Sequence, residues 1–133
     1  EALCHELFLH VSDYFSTKNL LNSYKNENAL ITKTKEMIYD GLENVLHIET
    51  IAQELNLSIF KLIRIFKAGT GITPYQYFLN SKLSHAKKHL DAVNDLYATV
   101  VAFGFTDLSH FNRHFKRVYG LTAYEYLTHK DKR

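Results

Sequence analysis

Hydrophobic residues recur at intervals of three and four along most of the chain, the spacing of one helix face. In residues 107–118 the stripe is Leu108, Phe111 and Phe115. Ser109, Asn112, Arg113 and Lys116 fall at i, i+3, i+4 and i+7, so they share a second face, polar and basic. The same period predicts a helix over residues 29–41 around Leu30, Thr34, Met37, Ile38 and Leu42, closed by Gly41. A short helix follows around Ile48, Ile51, Ala52 and Leu55, started by Glu49 or Thr50, with a turn at Asn56-Leu57. Ser58 is a good N-cap for a helix reaching about Ala68, which Gly69 and Gly71 break. Pro74 suits the first turn of a long helix over residues 74–90, carrying Tyr75, Phe78, Leu79, Leu83, Ala86 and Leu90. After a polar break at residues 91–95 comes a short helix over 96–103, a turn at Gly104, then the helix over 107–118. Gly120 ends it, and a last short helix covers residues 123–127. No segment reads as a strand.

Residues 1–16 are also helical in period, with Leu3, Leu7, Phe8, Val11, Tyr14 and Phe15 in a broad apolar stripe that needs a partner. Residues 17–28 are polar and carry Asn19, Asn22, Asn26 and Asn28, so they read as a linker with a boundary near Asn28. Leu20, Leu21 and Tyr24 can extend the helix part-way into it. The chain opens on Glu1, not Met, and is read as part of a longer protein.

With 133 residues, 46% hydrophobic, the chain can bury the core of one domain or of two small ones. One proline and five glycines argue against disorder and against a turn-rich β architecture. The single cysteine, Cys4, rules out an internal disulfide and suits a reducing, cytoplasmic setting. No apolar run has the length of a membrane span, and no signal-peptide pattern opens the chain. Charge changes the picture more. Residues 1–54 hold four Lys+Arg against nine Asp+Glu, a balance of −5; residues 55–133 hold twelve against five, a balance of +7. A basic part joined to an acidic one is the footprint of a module that binds a polyanion.

The pattern also repeats. Ile48, Ile51, Ala52, Leu55 and Leu57 answer to Leu96, Thr99, Val100, Phe103 and Phe105 at an offset of 48. Leu62, Arg64, Phe66, Lys67, Gly71, Thr73 and Tyr77 answer to Phe111, Arg113, Phe115, Lys116, Gly120, Thr122 and Tyr126 at an offset of 49. One extra residue therefore sits near Thr106-Asp107, in a turn, where a helix-turn-helix unit tolerates it. Two such units on one bridging helix can set their second helices about 34 Å apart, one turn of duplex DNA.

These residues carry a family resemblance. Arg64-Ile65-Phe66-Lys67, Gly71-Ile72-Thr73-Pro74, Tyr77, Leu83, Ala86, Gly104-Phe105-Thr106-Asp107, the run from Ser109 to Arg117, Gly120, Thr122 and Tyr126 together resemble the DNA-binding domain of the AraC/XylS transcription regulators. The likeness covers about residues 30–127. It implies an all-α fold: two homeodomain-like helix-turn-helix subdomains, at about 48–68 and 96–118, joined by the bridging helix, about seven helices plus an N-terminal one. It implies a bacterial, cytoplasmic regulator, typically an activator, that reads two adjacent major grooves with helices 58–68 and 107–118 and recruits RNA polymerase. It also makes residues 29–133 the DNA-binding domain and residues 1–28 the remnant of a regulatory or dimerisation domain that holds the effector and the dimer partner. Two departures stand out: Ala123 where proline is common, and Thr99-Val100 for an Ile-Ala pair. Val100 is expected to open or shift the close helix contact that Ala52 allows in the first unit.

Matching the family's reading positions implies Phe60, Ile63 and Arg64 in the first unit and Ser109, Asn112 and Arg113 in the second, with Lys67 and Lys116 one turn further on. Arg64 and Arg113 can bond guanine O6 and N7 together or clamp phosphate; the alternative is a salt bridge within the domain. Asn112 suits an adenine edge, Ser109 a phosphate or a base, and Phe60 and Ile63 thymine methyls, unless the two apolar side chains pack internally. Lys61, Lys82, Lys87 and Lys88 are expected at phosphate or in solvent. His85/His89 and His110/His114 have the i, i+4 spacing of a zinc chelate, but neither pair has an adjacent glutamate or a nearby cysteine, so no metal is expected. Paired carboxylates, a nucleophile elbow and a phosphate-cradling loop are absent from the sequence, which argues against an enzyme, and no cofactor is implied. The rival function is a helical protein-interaction module with an incidental basic face.

Overall fold

The computed structural model describes residues 2–132, with side chains from residue 17 onward. Seven helices are found among them: α1 (Ala2–Asp40), α2 (Ile48–Glu54), α3 (Ile59–Thr70), α4 (Pro74–Val93), α5 (Leu96–Ala102), α6 (Leu108–Tyr119) and α7 (Ala123–Lys130), with no strand. The first two expected helices are one. The stretch 17–28 continues the helix and makes no break in it, because it holds neither Pro nor Gly, and Asn costs only about 0.7 kcal/mol against Ala. Its polar sequence marks exposure instead of a break: Leu20, Leu21 and Tyr24 are all more than half exposed. The apolar stripe expected over residues 1–16 lies outside the described side chains. Burial on α1 begins at Ile31 and continues through Thr34 and Ile38, against α3 and α4.

Helix ends follow local chemistry. Ser58, Asp95, Asp107, Thr73 and Thr122 all cap helix starts with a side-chain oxygen. Thr73 with Gln76, and Thr122 with Glu125, are reciprocal capping boxes, so α7 starts firmly without a proline. At α2 neither Glu49 nor Thr50 is the cap; His47 holds that position without a side-chain bond. Gly71 and Gly120 end α3 and α6 at φ 83° and 84°, a left-handed turn that glycine adopts without a Cβ penalty. Gly69 does not break α3. A Cβ there would stand 2.2 Å from Ile31 Cδ1, so its role is to let α1 lie close.

The repeat is real in three dimensions. Asn56 and Gly104 turn at φ 54° and 61°, and Leu57 N–H→Ala52 O (2.9 Å) matches Phe105 N–H→Val100 O (3.1 Å). These pairs keep the offset of 48, whereas the caps Ser58 and Asp107 are 49 apart, so the inserted residue is Thr106. Val100 is buried within an unbroken copy of this turn. The first unit closes around Ile38, Leu42, Ile51, Ala52, Leu62 and Phe78. The second closes around Leu83, Leu90, Val100, Phe111 and Phe115. Helix α4 supplies residues to both cores and packs against α1 and α3 on one side and α5 and α6 on the other.

Candidate nucleic-acid interface

Helices α3 and α6 present equivalent faces. Inward go Leu62, Ile65 and Phe66 in α3, answered by Phe111, His114 and Phe115 in α6. Outward and exposed stand Phe60, Arg64 and Lys67, answered by Ser109, Arg113 and Lys116. Each face thus carries an arginine and, one turn on, a lysine. Both ion pairs among the described residues use Asp91, so neither Arg64 nor Arg113 is held in a salt bridge there. Phe60 is 86% exposed and is no part of the core, whereas Ile63 is half-buried. Phe60→Ala is expected to lower binding to a specific duplex while the thermal midpoint moves by less than about 4 °C; a larger fall would mean the ring packs on the domain after all.

Asn112 differs from its neighbours. Its Oδ1 accepts the Ala123 N–H at 2.9 Å, so the carbonyl end of the side chain is engaged with the start of α7.

A family model described as a helix-turn-helix domain matches residues 51–129. The chain is 39% identical over 82 residues to the MmsAB operon regulatory protein of Pseudomonas aeruginosa, covering 61% of this chain and 27% of that protein. It is 30% identical over 127 residues to the HTH-type transcriptional activator RhaS of Escherichia fergusonii, covering 94% and 45%. A solved regulator with an AraC-type DNA-binding domain, from Chromobacterium violaceum, superposes with TM-score 0.70 at 23% identity, covering 78% of this chain and 94% of that one. The DNA-binding domain of AdpA, solved with a target DNA, gives 0.65 at 20%, covering 74% and 89%. The chain belongs to the AraC/XylS family. It spans less than half the length of the two curated relatives. The family's members are DNA-binding transcription regulators.

Around α3 and α6 this AraC-family chain ties its elements together with charged groups that the sequence did not assign. Lys87 was expected at phosphate or in solvent; instead Nζ pairs with Asp91 Oδ2 at 3.2 Å and lies 4.8 Å from the Tyr126 ring centre. Tyr126 donates to Asp91 Oδ1 at 2.6 Å, and Lys130 Nζ donates to the Asp91 carbonyl at 2.8 Å, which fastens α7 to the end of α4. The Tyr126 hydrogen bond first, then Lys87 and Lys130, hold the Asp91 carboxyl below its ordinary range. Lys82 is likewise not at the surface. It is 6% exposed, with Nζ 5.1 Å from the Phe78 ring and 5.5 Å from Phe105, between the two cores. Burial lowers its pKa. Lys61 and Lys88 are exposed, as expected.

Neither histidine pair meets a third ligand; among the described residues no group of three His, Cys, Asp or Glu converges. His89 Nδ1 bonds Thr99 Oγ1 at 3.0 Å, and His85 stands edge-on to Tyr39. On α6, Arg117 Nη2 lies 3.2 Å from His114 Nδ1, and His114 Nε2 lies 3.0 Å from His110 Nε2. A guanidinium can only donate, so His114 Nδ1 accepts and its Nε2–H donates to His110. That leaves the proton of His110 on Nδ1, a buried atom without a hydrogen-bond partner. Burial, then the charges of His110, Arg117 and Arg113, lower the His114 pKa below its ordinary 6.5. The folded state therefore binds fewer protons than the unfolded chain once pH falls below about 6.5, and stability drops with it. We expect the thermal midpoint to fall between pH 7.5 and 5.5, and His114→Gln to flatten that fall. An equally steep fall in the variant would assign the titration elsewhere.

Proposed function

We propose that the chain is the sequence-specific DNA-binding part of a transcription activator, reading two adjacent major grooves with α3 and α6. The observation that carries this is the matched pair of exposed basic faces, Arg64 with Lys67 and Arg113 with Lys116, in one register on two copies of one unit. On this reading Arg64 and Arg113 contact guanine edges or phosphates, and Lys67 and Lys116 contact phosphates. Phe60 meets thymine methyls, with Ile63 beside it, and Ser109 takes a base or a phosphate; Asn112 lies on the same face of α6. Helix α4, about 30 Å long, sets the separation of the two readers. Activation is read from the relative RhaS, whose name is that of a transcriptional activator, and duplex DNA as ligand from the AdpA domain solved with its target. Residues 29–133 act as the DNA-binding unit. Residues 1–28 connect it to a regulatory domain that holds the effector and the dimer contact, and RNA polymerase is the partner in the cytoplasm.

Selection of bound sequences from a random duplex pool, followed by titration of the winner across salt, tests this directly. A bipartite consensus should emerge, and log K should fall against log salt with a slope of roughly −0.9 per phosphate contacted. Affinity that is absent, or flat with salt, would leave the chain as a protein-interaction module.

A further inference from the structure

We propose that Asn112 is a positioning residue that clamps α6 to α7, and that the second unit is read without it. The inference rests on the groove-reading assignment above and follows from the repeat. At the offset of 49, Asn112 answers to Ile63 and Ala123 answers to Pro74. Pro74 and Ala123 both open a helix, at a position whose N–H has no partner inside that helix. Pro74 has no N–H, so nothing in the first unit needs an acceptor there, and the apolar Ile63 is sufficient. Ala123 does have one, and its residue is fully buried, so water cannot take the bond. The local acceptors are already in use. Thr122 Oγ1 accepts Glu125 N–H at 3.1 Å, and Glu125 Oε2 accepts Thr122 N–H at 2.8 Å. Asn112 Oδ1 fills the gap at 2.9 Å, eleven residues away in sequence.

The donor is a backbone N–H, so the contacting atom of Asn112 must be its carbonyl oxygen, and the side chain cannot turn over without orphaning Ala123. Adenine recognition needs both ends of the amide on one base, oxygen to N6–H and nitrogen to N7. With Oδ1 held on the buried N–H of Ala123, the amide is not free to turn both its ends to one base edge. Asn112 instead fixes the tilt of α6 on α7, and so the reach of Ser109, Arg113 and Lys116.

The test is a four-member set: the parent chain, Asn112→Ile, Ala123→Pro, and both together, which rebuilds the Ile63/Pro74 pairing. Asn112→Ile alone is expected to lower the thermal midpoint by roughly 4–8 °C by leaving the buried N–H unpaired, and to weaken binding to the duplex selected by the parent chain. Adding Ala123→Pro removes that N–H and should restore both the midpoint and the affinity, with the base consensus of the second half-site unchanged. Two results would overturn the proposal: additive losses of midpoint, or a relaxed preference at one base position whichever residue stands at 123. The midpoint series needs no DNA. If the parent chain fails to bind duplex, the groove-reading assignment falls while the clamp is still decided.

Discussion

Arg113→Ala is expected to weaken binding to the selected duplex by about 5- to 150-fold, the 1–3 kcal/mol of one bidentate contact, while leaving the fold intact. The side chain is exposed and, among the described residues, makes no ion pair, so its removal leaves no buried group or partner charge uncompensated. Its chemistry distinguishes two ways of touching DNA. If the guanidinium bonds guanine O6 and N7, Arg113→Ala relaxes the preference at one position, and Arg113→Lys does not restore it, because a point charge cannot make the paired contact. If it clamps a phosphate, affinity falls alike on all sequences, the salt slope drops by about one, and lysine largely rescues. Repeating the measurement with Arg64→Ala shows whether the two units contribute equally. A midpoint that falls by several degrees in Arg113→Ala, with the consensus unchanged, would assign the residue to structure and not to reading.

Much of this architecture is legible in the sequence because it rests on local rules. Ser58, Pro74, Gly71, Gly104 and Gly120 mark helix ends through caps and turn dihedrals that need only their neighbours. The repeat then multiplies each signal by two, and the displaced offset locates the insertion to within one residue of Thr106. What escaped is of two kinds. The helix over residues 17–28 is hidden because a polar run marks a break and a helix exposed on all sides alike. The rest depends on distant partners. Gly69 looks like a terminator until Ile31 is seen against it. Lys82 looks like a surface lysine until Phe78 and Phe105, from opposite cores, close around it. Asn112 and Asp91 find their partners eleven and thirty-five residues away. Among these, only the i, i+4 spacing of Lys87 and Asp91 left a trace in the sequence.

The two units share a scaffold but divide differently between apolar and polar. At equivalent positions Phe60, Ile63 and Ile65 give way to Ser109, Asn112 and His114. The second unit therefore carries polar groups on both sides of α6, and its interior side holds the His114–His110 contact where the first has only Ile65. Acid should thus disturb the second unit before the first.

Phe115→Ala is expected to cost about 3–5 kcal/mol and to lower the thermal midpoint by about 10–20 °C, the largest effect among these substitutions. The ring is fully buried and meets Phe111, Tyr119 and Tyr126 with centres 5.6, 4.6 and 5.8 Å away, so its loss opens a cavity that three rigid rings cannot close. Its counterpart Phe66 is equally buried but has Tyr77 as its aromatic neighbour, at 5.6 Å, beside the deformable Ile31 and Ile65. Phe66→Ala should therefore cost less, because aliphatic neighbours can settle into part of the space. The consequence for function follows from where the cores meet. The second core takes Leu79, Leu83, Ala86 and Leu90 from α4, while the first takes Phe78. Loosening around Phe115 reaches α6 and the later turns of α4 before it reaches α3. Phe115→Ala at a temperature below its midpoint should then retain the half-site read by α3 and lose the one read by α6, seen as a consensus shortened on one side. Loss of both half-sites together, with one sharp calorimetric transition, would show instead that the bridging helix makes the two units fold and read as one.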